Sequence, residues 1–203
     1  MTGLVSFVLA ALALVGSPGP NTLSLAAVGA SFGRRRGLNY MIGLSFGVML
    51  VLAITATGLA ALILSLPGAA TVVSIAALIY LLYLAYRIAT APVIGVETER
   101  KEAAPRWHQG IVISISNPKA YAAMGALLSG PALVPGNAAA DVLWKASVAF
   151  LVICVVNLAW LSFGAAITHF VRTPRRARAL NLGFAALLLI SVAALGYAQI
   201  LRL

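Results

Sequence analysis

The chain has 203 residues, of which 62% are hydrophobic and only 9% charged, with a net charge of +10. Water-soluble domains carry about 25% charged residues, so this composition excludes an ordinary soluble domain and predicts a polytopic, all-α membrane protein. The positive charges fall in short clusters between apolar runs, which excludes a nucleic-acid patch and assigns them to loops at the membrane surface.

A helix needs about 20 apolar residues to span the bilayer. Six such runs follow in chain order: Leu4–Phe32, Leu38–Leu66, Thr71–Ile88, Gly110–Leu133, Val142–Phe170 and Leu180–Leu201. The first is read as a retained span and not as a signal peptide, because no Lys or Arg precedes Arg34. The loop after it carries Arg34, Arg35 and Arg36. The second loop, around Pro67-Gly68, carries no charge. The third holds Arg87, Arg100, Lys101 and Arg106, diluted by Glu97, Glu99 and Glu102. The fourth, Pro131 to Asp141, has no basic residue, and the fifth has Arg172, Arg175, Arg176 and Arg178. Basic loops therefore alternate with neutral ones. Placing loops one, three and five inside puts eleven of the fourteen Lys and Arg residues there, with Lys145 and Arg202 outside. This is the positive-inside pattern, and it puts both termini outside. The remaining basic residue, Lys119, lies within the fourth span.

Two spans are interrupted. The first contains Gly16-Ser17-Pro18-Gly19-Pro20-Asn21 in a stretch without a charge, and the fourth contains Ser116-Asn117-Pro118-Lys119. Lys119 lies about 14 Å along the helix from Gly110, close to the middle of a core about 30 Å thick. Each interruption opens a set of three spans, and the two sets run in opposite directions. The expected architecture is a single transporter domain, 1–203, built of two inverted three-helix repeats, about 1–98 and 99–203. Spans one and four are expected to be broken near mid-membrane, a pattern that places a binding site at the breaks.

The breaks suggest a chemistry. Interior prolines release carbonyls four residues earlier, here those of Leu14, Gly16 and Ser114. Past each break a half-helix starts. Asn117 is the expected N-cap, with Pro118 at the first helical position, and Asn21 is a comparable cap candidate. Helix starts suit a carboxylate and released carbonyls suit an ammonium, so the pair fits an amino-acid zwitterion. Expected substrate-binding residues are Asn21, Asn117, Lys119, Ser17, Ser114 and Asn157, and expected hinge or gating residues are Pro18, Gly19, Pro20 and Pro118. Lys119 has two readings. It assists the substrate carboxylate, or its ammonium bridges carbonyls released at the opposite break. Asn157 either lines the path or makes an interhelical hydrogen bond.

Other residues are read more simply. Gly43 and Gly47 form a small-xxx-small packing pair. Tyr80, Tyr83, Tyr86, Trp107 and Trp144 are interfacial aromatics. His108 and His169 lie near the inner face. All four acidic residues, Glu97, Glu99, Glu102 and Asp141, fall in or beside loops. No metal site, cofactor or carboxylate proton relay is therefore expected. Cys154 is the sole cysteine and allows no intramolecular disulfide.

Ser17-Pro18-Gly19-Pro20-Asn21-Thr22, the arginine-rich turn with Gly37, and Gly43-Leu44-Ser45-Phe46-Gly47 resemble the start of LysE/RhtB-type amino-acid exporters. Tyr83-Leu84-Ala85-Tyr86-Arg87 and Asn117-Pro118-Lys119-Ala120 are similar to later motifs of that family. The resemblance covers essentially the whole chain. It implies export of small neutral amino acids or derivatives, of the cysteine/O-acetylserine or the homoserine/threonine kind, across the bacterial inner membrane, driven by the proton gradient. The region Tyr83–Pro92 is most similar to the branch associated with cysteine and O-acetylserine. Many members carry an acidic residue after the glycine of the second-span motif. Here that place is Val48, which argues against lysine or arginine as substrate. A homodimer is allowed. The competing readings are an exporter of basic amino acids, a non-transporting membrane scaffold or chaperone, and an intramembrane enzyme. The last lacks any acid or histidine placed within the spans for catalysis.

Overall fold

Long apolar runs without alternating polarity satisfy their backbone internally as helices. The computed structural model describes residues 2–58, 69–90, 104–167 and 174–200, and all regular structure among them is helical. In chain order the helices are α1 (Thr2–Gly16), α2 (Pro20–Ala56), α3 (Ala69–Ala89), α4 (Trp107–Ile115), α5 (Pro118–Leu128), α6 (Ala138–Ile167) and α7 (Pro174–Ile200). Pro67-Gly68, Glu97, Glu99, Arg100, Lys101, Glu102, His169, Arg172 and Arg202 lie outside the described residues, as do the ends of the expected spans at Leu66, Phe170 and Leu201.

Gly33 sets the path of the first third of the chain. Its φ of 78° and ψ of 163° interrupt α2 within otherwise helical backbone. Only glycine adopts such a conformation without steric cost. The Tyr40 hydroxyl donates to Ser24 Oγ at 2.9 Å, although a straight helix would separate the two residues by about 24 Å. The helix therefore doubles back, with 20–32 as one limb and 34–56 as the other. The expected loop at Arg34–Arg36 is corrected: the three arginines are helical and exposed, opening the second limb, and the reversal takes a single residue.

The two interruptions are present. α1 ends at Gly16 and α2 starts at Pro20, and the axis turns by 70° between α4 and α5. By length and composition α2 and α6 are each able to cross a membrane, and the bent pair α4–α5 together makes a third such element. The fourth expected span stops at Leu128 and not at Leu133.

Close backbone contacts hold these pieces together. The first limb of α2 crosses α6, where a Cβ on Gly29 would lie 2.2 Å from the Leu161 carbonyl oxygen and one on Gly164 would lie 1.9 Å from that of Ala26. The second limb crosses α4 in the same way. There a Cβ on Gly43 would meet the Trp107 carbonyl oxygen at 1.8 Å, and one on Gly110 the Tyr40 carbonyl oxygen at 2.4 Å. The packing role expected of Gly43 and Gly47 is thereby located. α3 packs against α7.

The two ends of the molecule differ in charge. Arg178 donates to the Ala89 carbonyl at 2.8 Å, and Ser31 to Asn181 at 3.2 Å. The Gly33 reversal, the end of α3 and the start of α7 thus share one end, where Arg34, Arg35, Arg36, Arg175, Arg176 and Arg178 are exposed. At the other end Gly3 lies beside Leu133, and Lys145 is buried. Its ammonium holds Asp141 at 2.9 Å and the carbonyls of Leu128 and Gly130 at 3.0 and 2.9 Å. Asp141 in turn accepts from the Leu133 and Val134 amides. A cation on the last carbonyls of α5 complements the helix dipole. Lys145 is thus a buried staple at this end of the molecule.

Gly164→Ala is expected to lower the unfolding midpoint in detergent by several degrees, since overpacking costs about 1–3 kcal/mol and each kcal/mol moves a chain of this size about 2–4 °C. Gly183 is the comparison, because a Cβ added there would meet nothing within 4 Å. Gly183→Ala leaves the midpoint unchanged or raises it.

Candidate binding site at the facing helix breaks

Proline placement decides how each half-helix begins. Pro20 occupies the first helical position of α2, so the cap falls on Gly19, whose N–H donates to Thr22 Oγ1 at 3.0 Å. The expected cap role of Asn21 is corrected: Asn21 sits within the first turn, one residue beyond the proline, and its side chain turns to the opposite break. Asn117 caps α5 as expected, accepting the Lys119 N–H at 3.1 Å, with Pro118 at the first helical position.

The carbonyls expected to be released are already taken. Ser17 Oγ donates to Leu14 O at 3.0 Å, the Trp160 indole N–H to Gly16 O at 3.1 Å, and the Asn117 N–H to Ser114 O at 3.2 Å. The oxygens that face the other break belong instead to Ser17 and Pro18. The Lys119 ammonium lies on them, 2.7 Å from Ser17 O, 2.8 Å from Ser17 Oγ and 3.1 Å from Pro18 O. An ammonium has three N–H donors, and each finds an oxygen. Of the two readings of Lys119, this conformation displays the bridge. Gly19 makes room for it: a Cβ there would come within 3.0 Å of the lysine Cδ and 3.1 Å of Nζ.

Beside the lysine runs a chain of amides and hydroxyls. Asn117 donates to Asn21 Oδ1 at 2.9 Å, Asn21 donates to Ser114 Oγ at 3.3 Å, and Ser114 Oγ lies 2.9 Å from the Leu44 carbonyl. This joins α5, both limbs of α2 and α4. Ser114 is fully buried beneath Asn21. Asn157 donates to Ser45 Oγ at 2.9 Å, so it makes the interhelical bond and also lines the cavity.

That cavity measures about 40 Å³, room for about three waters. Asn21, Thr22, Asn117, Lys119 and Asn157 supply its polar wall, and Leu14, Val15, Val48, Ala123 and Met124 its apolar wall. Ser17 joins through its bonds to Lys119, and Ser114 lies behind Asn21. Pro18 and Pro118 hold the two bends open. Residues that the sequence reading missed are Trp160, which closes the Gly16 carbonyl, and Ser45, which fixes Asn157. Trp160 follows Asn157 by three residues and so shares its helix face, a usable signal. Among the described residues, no group of three or more His, Cys, Asp or Glu is placed to hold a metal ion.

A family model described as LysE type translocator matches residues 12–198. The chain belongs to the LysE type translocator family. No solved structure matches it. This LysE type translocator is a multi-pass membrane transporter and not an enzyme, and its family points to export of amino acids or related compounds.

In this translocator the asparagine pair is expected to couple energetically. Asn117→Ala removes both the cap and the bond to Asn21 and costs about 1–3 kcal/mol, whereas Asn117→Ser keeps a capping oxygen and costs less. A thermal-unfolding double-mutant cycle with Asn21→Ala is expected to give a coupling of about 0.5–3 kcal/mol; additivity would mean that the two amides do not act together.

Proposed function

We propose that this translocator exports small neutral amino acids or their derivatives, cysteine and O-acetylserine among them, from the bacterial cytoplasm. One observation carries this reading: the two helix breaks meet at one cavity, lined by Asn21 and Thr22 at the start of α2 and by Asn117 and Lys119 at the start of α5, with the Lys119 ammonium reaching from it to the Ser17 and Pro18 oxygens. The first turn of α2, with Asn21 and Thr22, presents the positive end of a helix dipole to a carboxylate. The Ser17 and Pro18 oxygens suit an ammonium. An amino acid carries both groups on one carbon.

Charge narrows the substrate. Among the described residues the cavity wall contains no acid, and it includes Val48, the position after Gly47 where the family resemblance implies an acid in many members. A lysine or arginine side chain would place a second cation beside Lys119 without a counter-charge. This favours neutral zwitterions over basic amino acids.

In this reading the chain forms six spans as two inverted repeats that rock about the breaks at Pro18–Pro20 and Pro118. The arginine-rich end faces the cytoplasm and the Lys145 end the outside, in keeping with the positive-inside rule. Coupling to the proton gradient would run without a carboxylate relay, through Lys119, a histidine or the substrate itself.

The test is efflux of labelled alanine, serine, cysteine and lysine from loaded proteoliposomes. Wild type is expected to release the neutral amino acids and to retain lysine. Asn117→Ala and Lys119→Ala, at equal reconstituted amounts, are expected to slow net efflux about tenfold, the effect of losing roughly 1.4 kcal/mol. Unchanged rates in both variants would reject the site, and no release of any amino acid by wild type would favour a scaffold.

A further inference from the structure

The three oxygens around the Lys119 ammonium make a site in their own right. Two are backbone carbonyls and one is a hydroxyl, and all come from the consecutive residues Ser17 and Pro18. None carries a charge. A set of this kind recognises a primary ammonium by accepting its three N–H groups. It offers nothing to a quaternary ammonium, which has no N–H. The lysine side chain is itself a primary ammonium seated there, so the fit is on display.

We propose that this cradle is the ammonium subsite for substrate, and that Lys119 is a tethered occupant that fills it while the carrier is empty. The proposal rests on the transport reading above. An incoming α-ammonium takes the three oxygens, and Lys119 yields them. The displaced cation stays in the cavity, where the substrate carboxylate arrives with its own ammonium and pairs with it. A zwitterion therefore exchanges one ammonium for another and supplies the anion that the released lysine needs. A simple amine supplies no anion and leaves two cations together, so it displaces Lys119 poorly. The two sequence-based roles of Lys119 thus become successive states of one side chain.

The tether also links occupancy to motion. Lys119 extends from α5, while the cradle belongs to the segment between α1 and α2. With the lysine seated, the two broken helices are tied. With substrate seated, that tie is undone. An empty carrier lacking the lysine would leave the Ser17 and Pro18 carbonyls without the donor that joins them to α5, which opposes its return. Net efflux requires that empty return, and exchange of substrate for substrate does not.

Purified full-length wild type and Lys119→Ala are compared in detergent micelles with methylammonium and tetramethylammonium as probes. Methylammonium at ten times its dissociation constant is expected to raise the unfolding midpoint of Lys119→Ala by about 3–6 °C. It should leave wild type within a degree, and tetramethylammonium should shift neither protein. No methylammonium shift in folded Lys119→Ala, or equal shifts with both probes, overturns the proposal. A second measurement uses wild type alone: acetylation of Lys119 by acetic anhydride, read by peptide mass spectrometry against the buried Lys145. A mixture of alanine, serine and cysteine is expected to accelerate Lys119 acetylation several-fold, and the N-acetylated mixture is not. Equal effects of both mixtures, or no effect of either, overturn it, and this measurement decides alone if Lys119→Ala does not fold. In proteoliposomes, Lys119→Ala is expected to slow net efflux more than it slows exchange; equal slowing goes against the tether. Absence of all wild-type transport would refute the transport reading, while the methylammonium result still judges the cradle.

Discussion

An ammonium held by three oxygens across two broken helices is the constraint on which the rest of the site depends. A lysine deep in a membrane segment costs about 2.5–3.5 kcal/mol on insertion scales. A regular helix cannot relieve that cost, because its carbonyls are spent on its own N–H groups. Only an interrupted helix leaves backbone oxygens free for such a cation, and Pro18 and Pro20 interrupt it by withholding two N–H groups. The lysine and the opposite break are therefore complementary. Neither is tolerable alone, since an unpaired ammonium and unpaired carbonyls are both expensive away from water.

That arrangement demands accurate placement of two backbones, and lipid supplies no hydrophobic drive to bring helices together. Glycine does this work in two symmetric-looking contacts. Gly29 and Gly164 allow the first limb of α2 onto α6, and Gly43 and Gly110 allow the second limb onto α4. The contacts hold the first limb of α2, which carries Asn21, against α6, and α4, which leads into the break at Asn117, against the second limb. Gly33, by reversing the chain in one residue, lets both limbs of a single helix take part.

Much of this was legible in the sequence because proline and charge act locally. The positions of both breaks, the cap at Asn117 and the bridging alternative for Lys119 follow from residue chemistry over three or four positions. What escaped depended on partners distant in the chain. The Gly16 carbonyl looked available, but a tryptophan 144 residues away donates to it. Asn21 resembled a cap, but Pro20 moves the cap to Gly19 and turns the amide toward Asn117. The charge pattern places Lys145 outside but gives no sign of its burial against the carbonyls of Leu128 and Gly130. Gly33 gave no warning because a single left-handed residue has no pattern, and the arginines beside it suggested a longer loop.

Buried Lys145 and half-buried Lys119 show why one is fixed and the other exchangeable. Each ammonium meets three acceptors at hydrogen-bond distance. Lys145 has a formal anion, Asp141, one helical turn away, and its carbonyls lie 15 and 17 residues back on the adjoining segment. Release would separate a partly buried ion pair and strip the end of α5 at once. Lys119 has only neutral oxygens, 101 and 102 residues away on another element. Its hydrogen bonds can be replaced one for one by another ammonium, and no counter-ion is left behind. A cation held by neutral oxygens at a helix break is thus suited to be exchanged, and one held by a carboxylate at a helix end is suited to stay.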